Sequence, residues 1–245
     1  MSTAESATVY GNFLSKELSF ISDVDRQRHL SLFGIPLSTE AGIYPVTITV
    51  LTDTGEETTI NFNVQIVSGG YGVTNIELPE GSDLSLIDTS TDEQELSMLG
   101  SLTSQITPEK YLTGPMGLPA AAPMNAVFGT RRSYNGGEVN RFHLGADFAG
   151  GPGSPILAAG PGRVVLVDWL SLRGLATVID HGWGIYTIYA HQKETLVNVG
   201  DFVQAGQQIG TVGSSGRVTG PHLHWEVWIQ GTPVDPMQFV QQDFP

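Results

Sequence analysis

From Met124 onward, short runs rich in β-branched and aromatic residues alternate with glycine turns, and no helical pattern separates them. The runs are "GRVVLVDWL", "LATVIDHG", "GIYTIYAHQ", "LVNVGDFVQAGQQIGTVG" and "HLHWEVWI". Parallel strands need a crossover, usually a helix, so this texture argues against a parallel βαβ sheet and predicts a compact antiparallel β domain over 124–245. A second pattern lies upstream. "YPVTITVLTDTGEETTINFNVQIV" alternates apolar and polar residues on both sides of Asp53-Thr54-Gly55, which predicts a hairpin. With "FLSKELSFIS" and "LSLFGIPL" as further strands, residues 1–83 read as a small β-sandwich module. Between the two, residues 84–123 read as a short helix at about 91–103, with Ser90 and Glu93 at capping-box spacing, followed by a Pro/Gly-rich linker. The fold class expected is mainly β.

Charge supports a boundary. Residues 1–113 carry a net charge of −12 and residues 114–245 only −2. A chain at −14 overall is a poor nucleic-acid partner. No apolar run approaches 18 residues, so no membrane span is expected. The 245 residues contain no cysteine, which excludes disulfides and Cys-type zinc sites. "MSTAESATVYGNF" has neither the basic start nor the apolar core of a signal peptide.

Five of the six histidines lie between 143 and 224. "HLGAD" spaces His143 and Asp147 four apart, "YAHQ" carries His191, and "HLHWE" carries His222 and His224. Residues i and i+2 of a strand point to one face, so His222 and His224 project together. Alone, each of these patterns is common, and a solvated strand face or a salt-bridging Asp accounts for it. Together in one small β domain they point to a divalent metal that prefers His and Asp ligands. The helical zinc-protease motif H-E-x-x-H is absent. His181 sits in "IDHGWG", a turn between two strands, and His29, alone in the first module, has no partner nearby in sequence. His29 reads as structural or solvated.

Residues from about 127 to 238 resemble the LytM/lysostaphin-type zinc endopeptidases, which act on bacterial peptidoglycan. The motifs that carry the resemblance are "FGTRRSYNGG", "HLGADFAG", "GSPILAAGPGRVV", "VIDHGWGIYTIYAHQ" and "VNVGDFVQAGQQIGTVGSSGRVTGPHLHWEVWIQGTPVDP". The resemblance implies one zinc per chain on His143, Asp147 and His224. It implies catalytic roles for His191 and His222 beside the metal: orienting the water, taking its proton or stabilising the oxyanion. His181 matches a position that is not usually a ligand. It also implies a peptidoglycan-peptide substrate cleaved by a metal-activated water. The location implied is extracellular or in the cell envelope, with the export signal lying outside this sequence. The chain is expected to act as a monomer.

Arg131, Arg132, Tyr134 and Asn135 lie on the glycine-rich loop before His143. Tyr134 is the candidate oxyanion donor, against an exposed loop aromatic; Arg132 and Asn135 are candidate substrate contacts. Trp183 is a further candidate for the substrate groove, against core or rim packing, as are Trp225 and Trp228. Glu226 shares the face of the histidine pair, either supporting a ligand or solvated. The first module, through "LFGIPLSTEAGIYPVTITV", resembles the immunoglobulin-like domains that precede some exported peptidases of this kind. The alternative reading is a non-catalytic regulator of cell-wall amidases on the same fold; a third is an adhesion module centred on the acidic first domain.

Overall fold

The computed structural model describes residues 1–78, 80–81 and 88–242. They form two compact units, Met1–Gly70 and Tyr71–Pro245.

The first unit contains β1 (Ala7–Phe13), β2 (Lys16–Glu17), β3 (Ile21–Ser22), β4 (His29–Leu30), β5 (Gly42–Thr52) and β6 (Glu57–Ile66). Its main sheet is antiparallel in the order β2-β1-β5-β6, and β3 pairs with β4 in a separate ribbon. Every second residue of β1 is buried, and Ala7, Val9 and Phe13 meet Val46 and Val50 of β5. Phe20 and Phe33, on either side of the ribbon, close over this apolar face. The sandwich is therefore reduced: one layer is a four-stranded sheet and the other a ribbon with its flanking loops. The hairpin expected at Asp53-Thr54-Gly55 is β5–β6, where Gly55 takes φ 90° and its N–H bonds the Thr52 carbonyl. His29 is buried, with Nδ1 2.9 Å from the Ser22 hydroxyl.

The second unit begins with β7 (Val73–Ile76) and α1 (Thr89–Thr103). There follow β8 (Met124–Ala126), β9 (Arg131–Tyr134), β10 (Arg141–Phe142), β11 (Ala146–Phe148), β12 (Pro155–Leu157), β13 (Gly162–Leu170) and β14 (Gly174–Asp180). The chain continues through β15 (Ile185–Thr195), β16 (Phe202–Val203), β17 (Gln208–Val212), β18 (Leu223–Ile229), β19 (Thr232–Val234) and α2 (Pro236–Gln241). The large sheet runs β16-β13-β14-β15-β18-β11-β8, antiparallel throughout, with β12–β17 and β19 attached at its sides. Central β18 is buried on both faces, which fits its run of apolar and aromatic residues.

Helix α1 is capped two residues earlier than its capping-box spacing suggested. The Asp88 side chain accepts from the Ser90 N–H at 3.0 Å. Leu99 then packs against Val178, Tyr186, Ile188 and Trp228, so the helix covers one face of the sheet. The segment read as a linker is laid along the second unit. Leu112, Met116 and Ala120 are buried, and backbone bonds tie Tyr111 to His181, Met116 to Phe239 and Gly117 to Ala159. Burying three apolar side chains compensates the order imposed on a Pro/Gly-rich chain. Strand β7 pairs in parallel with β9, the one parallel pairing among the described strands. No described helix is long and apolar enough to cross a membrane.

His181 lies in this core. Its Nδ1–H donates to the Pro161 carbonyl at 2.8 Å, which leaves Nε2 to accept from the Thr187 hydroxyl at 2.7 Å. Burial pushes its pKa down from 6.5 to about 4. The unfolded chain therefore takes up the proton first, and this contribution to stability is present above pH 6.5 and lost as pH falls towards 4. Unfolding free energies of wild type and His181→Gln, measured from pH 7 to 4, are expected to converge by about 3 kcal/mol over that window. A constant gap would mean that the ring is not held neutral.

Candidate metal centre and its groove

Three acceptor atoms converge at one end of the α1-covered face. His143 follows β10, Asp147 lies in β11 and His224 in β18, where Asp147 and His224 are direct cross-strand partners. His143 Nε2 is 2.9 Å from Asp147 Oδ1 and 3.0 Å from His224 Nδ1, and His224 Nδ1 is 2.7 Å from Asp147 Oδ1. All three residues are buried. Gly145 permits the approach: a Cβ there would sit 2.2 Å from the Trp225 carbonyl oxygen of β18.

The outer nitrogens settle what faces inward. His143 Nδ1 is 2.9 Å from the Val127 carbonyl and His224 Nε2 is 2.8 Å from Glu226 Oε1. Each is a donor, since its partner can only accept. The inner nitrogens of the neutral rings are then both lone pairs, 3.0 Å apart and next to a carboxylate oxygen. Such a set repels itself unless a proton or a metal ion lies among its members. Imidazoles that donate outward to a carbonyl and a carboxylate are the usual arrangement of metal-bound histidines. The residues therefore fit a divalent metal ion.

The charges agree. Burial alone would raise the Asp147 carboxyl, but the adjoining His143 and His224 rings, which donate to it whenever an inner nitrogen carries the proton that a metal would replace, outweigh burial and hold the group well below the usual carboxylate range. Arg132 Nη2 takes its other oxygen at 3.0 Å. Burial would lower His224, yet its bonds to Asp147 and Glu226 raise it. For His143, burial dominates and the shift is downward.

Two more imidazoles stand beside this set. His222 Nδ1–H donates to the Gly220 carbonyl at 2.9 Å, and Nε2 lies 3.8 Å from Asp147 Oδ1. His191 Nδ1–H donates to the Ser215 carbonyl at 2.8 Å. Its ring centroid is 4.7 Å from that of His222 and 5.8 Å from that of His224. Burial pushes both rings down from 6.5, so both are neutral at pH 7 with Nε2 as an acceptor. His191 reaches this face against strand alternation. Ala190 opposes His224, so a regular strand would send residue 191 to the other side. Between Tyr189 and Gln192 the register against β14 slips by one residue, and His191 adopts φ 60°. This bulge with a left-handed residue turns the imidazole back towards the site.

The groove over these residues has a volume of about 700 Å³ and is lined by His143, Asp147, His191, His222 and His224 together with Arg132 and Tyr134. The Tyr134 ring is stacked by Arg217 at 4.6 Å and Arg141 at 5.5 Å, and both arginines pair with Asp92 of α1. Two proposed substrate contacts lie elsewhere. Asn135 uses its side chain to accept from the Leu78 N–H at 2.9 Å, and it does not line the groove. Trp183 sits in the β14–β15 turn, its indole N–H on the Pro108 carbonyl. That is the opposite end of β15 from His191, roughly 25 Å away at about 3.3 Å per residue. Trp225 and Trp228 are fully buried.

Sequence reasoning missed Arg173 and Glu95, which are buried behind His224 and bonded to one another. Only Glu226, two residues beyond His224 on the same face, hinted at this layer.

Residues 141–236 match Peptidase family M23. Peptidoglycan DD-endopeptidase ShyB of Vibrio cholerae is 42% identical over 96 residues, 39% of this chain and 22% of that protein. Murein hydrolase activator EnvC of Escherichia coli is 35% identical over 155 residues, 60% of this chain and 36% of that protein. A putative peptidase M23 from Pseudomonas aeruginosa superposes with a TM-score of 0.67 at 26% identity, covering 97% of this chain and 88% of that one. The chain carries a peptidase family M23 domain of the LytM/lysostaphin type. It spans well under half the length of these curated relatives.

Proposed function

We propose that the protein is a zinc metalloendopeptidase that hydrolyses peptide bonds in bacterial peptidoglycan, working outside the cytoplasm. The observation that carries this reading is the meeting of His143, Asp147 and His224 within 3.0 Å of one another, beside two imidazoles, His191 and His222, whose Nδ1 atoms are bonded to carbonyls. Zinc held by the three would polarise the scissile carbonyl and acidify a water to a pKa of about 7. His222 and His191 are each anchored at Nδ1 by a carbonyl, so either could take a proton from the attacking water at Nε2. The imidazolium so formed would face the tetrahedral oxyanion and would return that proton to the leaving amine. Arg132 holds the outer oxygen of Asp147, and Tyr134 offers a hydroxyl on the groove wall.

The likeness to EnvC supports a second reading, a regulator of cell-wall amidases. Purified protein incubated with peptidoglycan sacculi, with and without a chelator, separates the two. New amine termini identified by mass spectrometry and abolished by the chelator are expected. Intact peptides, together with stimulation of an added amidase, would establish the regulator instead.

A further inference from the structure

Glu95 lies on α1, outside residues 141–236, and its side chain is only 4% exposed. One oxygen accepts from Arg173 Nη1 at 2.6 Å and the other from the Leu172 N–H at 2.7 Å. The rest of the Arg173 fork holds Glu226, with Nε 2.6 Å and Nη2 3.0 Å from its two oxygens. The Trp228 indole N–H donates to Glu226 Oε2 at 2.6 Å, and Oε1 accepts from His224 Nε2. A bidentate guanidinium fixes the plane of a carboxylate, and this carboxylate in turn fixes the tautomer and ring plane of His224.

The same turn acts on the other side of the site. The Arg173 carbonyl accepts the His191 N–H at 2.8 Å, on the residue that holds the left-handed conformation. Two carboxylates around one guanidinium leave a surplus negative charge, buried against His224. An uncompensated buried charge is costly, and a divalent cation on the far side of the imidazole relieves it.

We propose that Glu95 and Arg173 are positioning residues of the active site: α1 clamps the 172–173 turn, which sets His224 through Glu226 and His191 through the Arg173 carbonyl. This rests on the reading of His143, Asp147 and His224 as metal ligands.

The test uses the full chain as wild type, Glu95→Gln, Arg173→Lys and Leu102→Ala. Leu102 packs on the apolar side of α1 and touches none of these polar groups in the bonds described. Zinc affinity is measured by competition with a chromophoric chelator, the visible spectrum by cobalt substitution, and kcat, KM and metal-free melting temperature on the same samples. Glu95→Gln, nearly isosteric, and Arg173→Lys, which keeps the charge but loses the fork, are expected to weaken zinc about 10–100-fold. They should alter the cobalt spectrum and depress kcat more than they raise KM. Leu102→Ala should lower the melting temperature with zinc affinity and spectrum unchanged. Wild-type zinc affinity in both polar variants overturns the proposal, as does weakening by Leu102→Ala in the same proportion to lost stability. A wild type that binds no zinc overturns the metal reading itself.

Discussion

Asp147→Asn and His224→Ala are expected to fold, to lose bound metal and to retain no turnover above background. Each removes one of the three proposed ligands, whose atoms meet within 3.0 Å of one another, and zinc sites with three protein ligands have none to spare. The loss should exceed the 10²–10⁴-fold typical of a single acid–base group, because the Lewis acid and the acidified water disappear together. Elemental analysis and turnover on the same preparations check this. Stripping the wild type with a chelator should reproduce the variants' inactivity, and added zinc should restore the wild type alone. Saturating metal should also stabilise the wild type, by about 4 kcal/mol at a thousand times its dissociation constant. Full activity in metal-free protein would refute the assignment.

The second large effect separates the neighbours of the metal from its ligands. His222→Ala and His191→Asn are expected to keep the metal and to lose about 10²–10⁴-fold in kcat. Asparagine is preferred at 191 because it tolerates φ 60° better than most side chains, so the bulge is preserved. If the two histidines merely pack, melting temperature drops while kcat per folded molecule stays at the wild-type value. Loss of metal from His222→Ala with retention in His224→Ala would reverse the roles within "HLH".

Local patterns were readable where the chain is regular. Alternation placed His224 and Glu226 on one face of β18, with His222 just before the strand on the same side, and the Asp-Thr-Gly turn located β5–β6. The irregular parts escaped. His191 is aimed by a bulge that alternation cannot anticipate, and only its match to a family position marked it. Glu95 looks like any acid on an acidic helix, and its partner Arg173 lies 78 residues away in a plain turn. Residues 107–123 carry linker composition, yet three well-spaced apolar side chains suffice to seat them. Asn135 and Trp183 were judged by residue type on exposed loops. The Asn135 side-chain oxygen and the Trp183 indole N–H are spent on backbone, which sequence does not display.

Gly145 ties together two parts of the chain that otherwise have no reason to vary together. The loop bearing His143 and Asp147 is pressed against the backbone of the strand bearing His224, with no room even for a methyl group. Any side chain at 145 would pry the first two ligands from the third at once. The spacing in "HLGAD" and the path of "HLHWE" thus behave as one mechanical piece: a push on either is felt by all three proposed ligands.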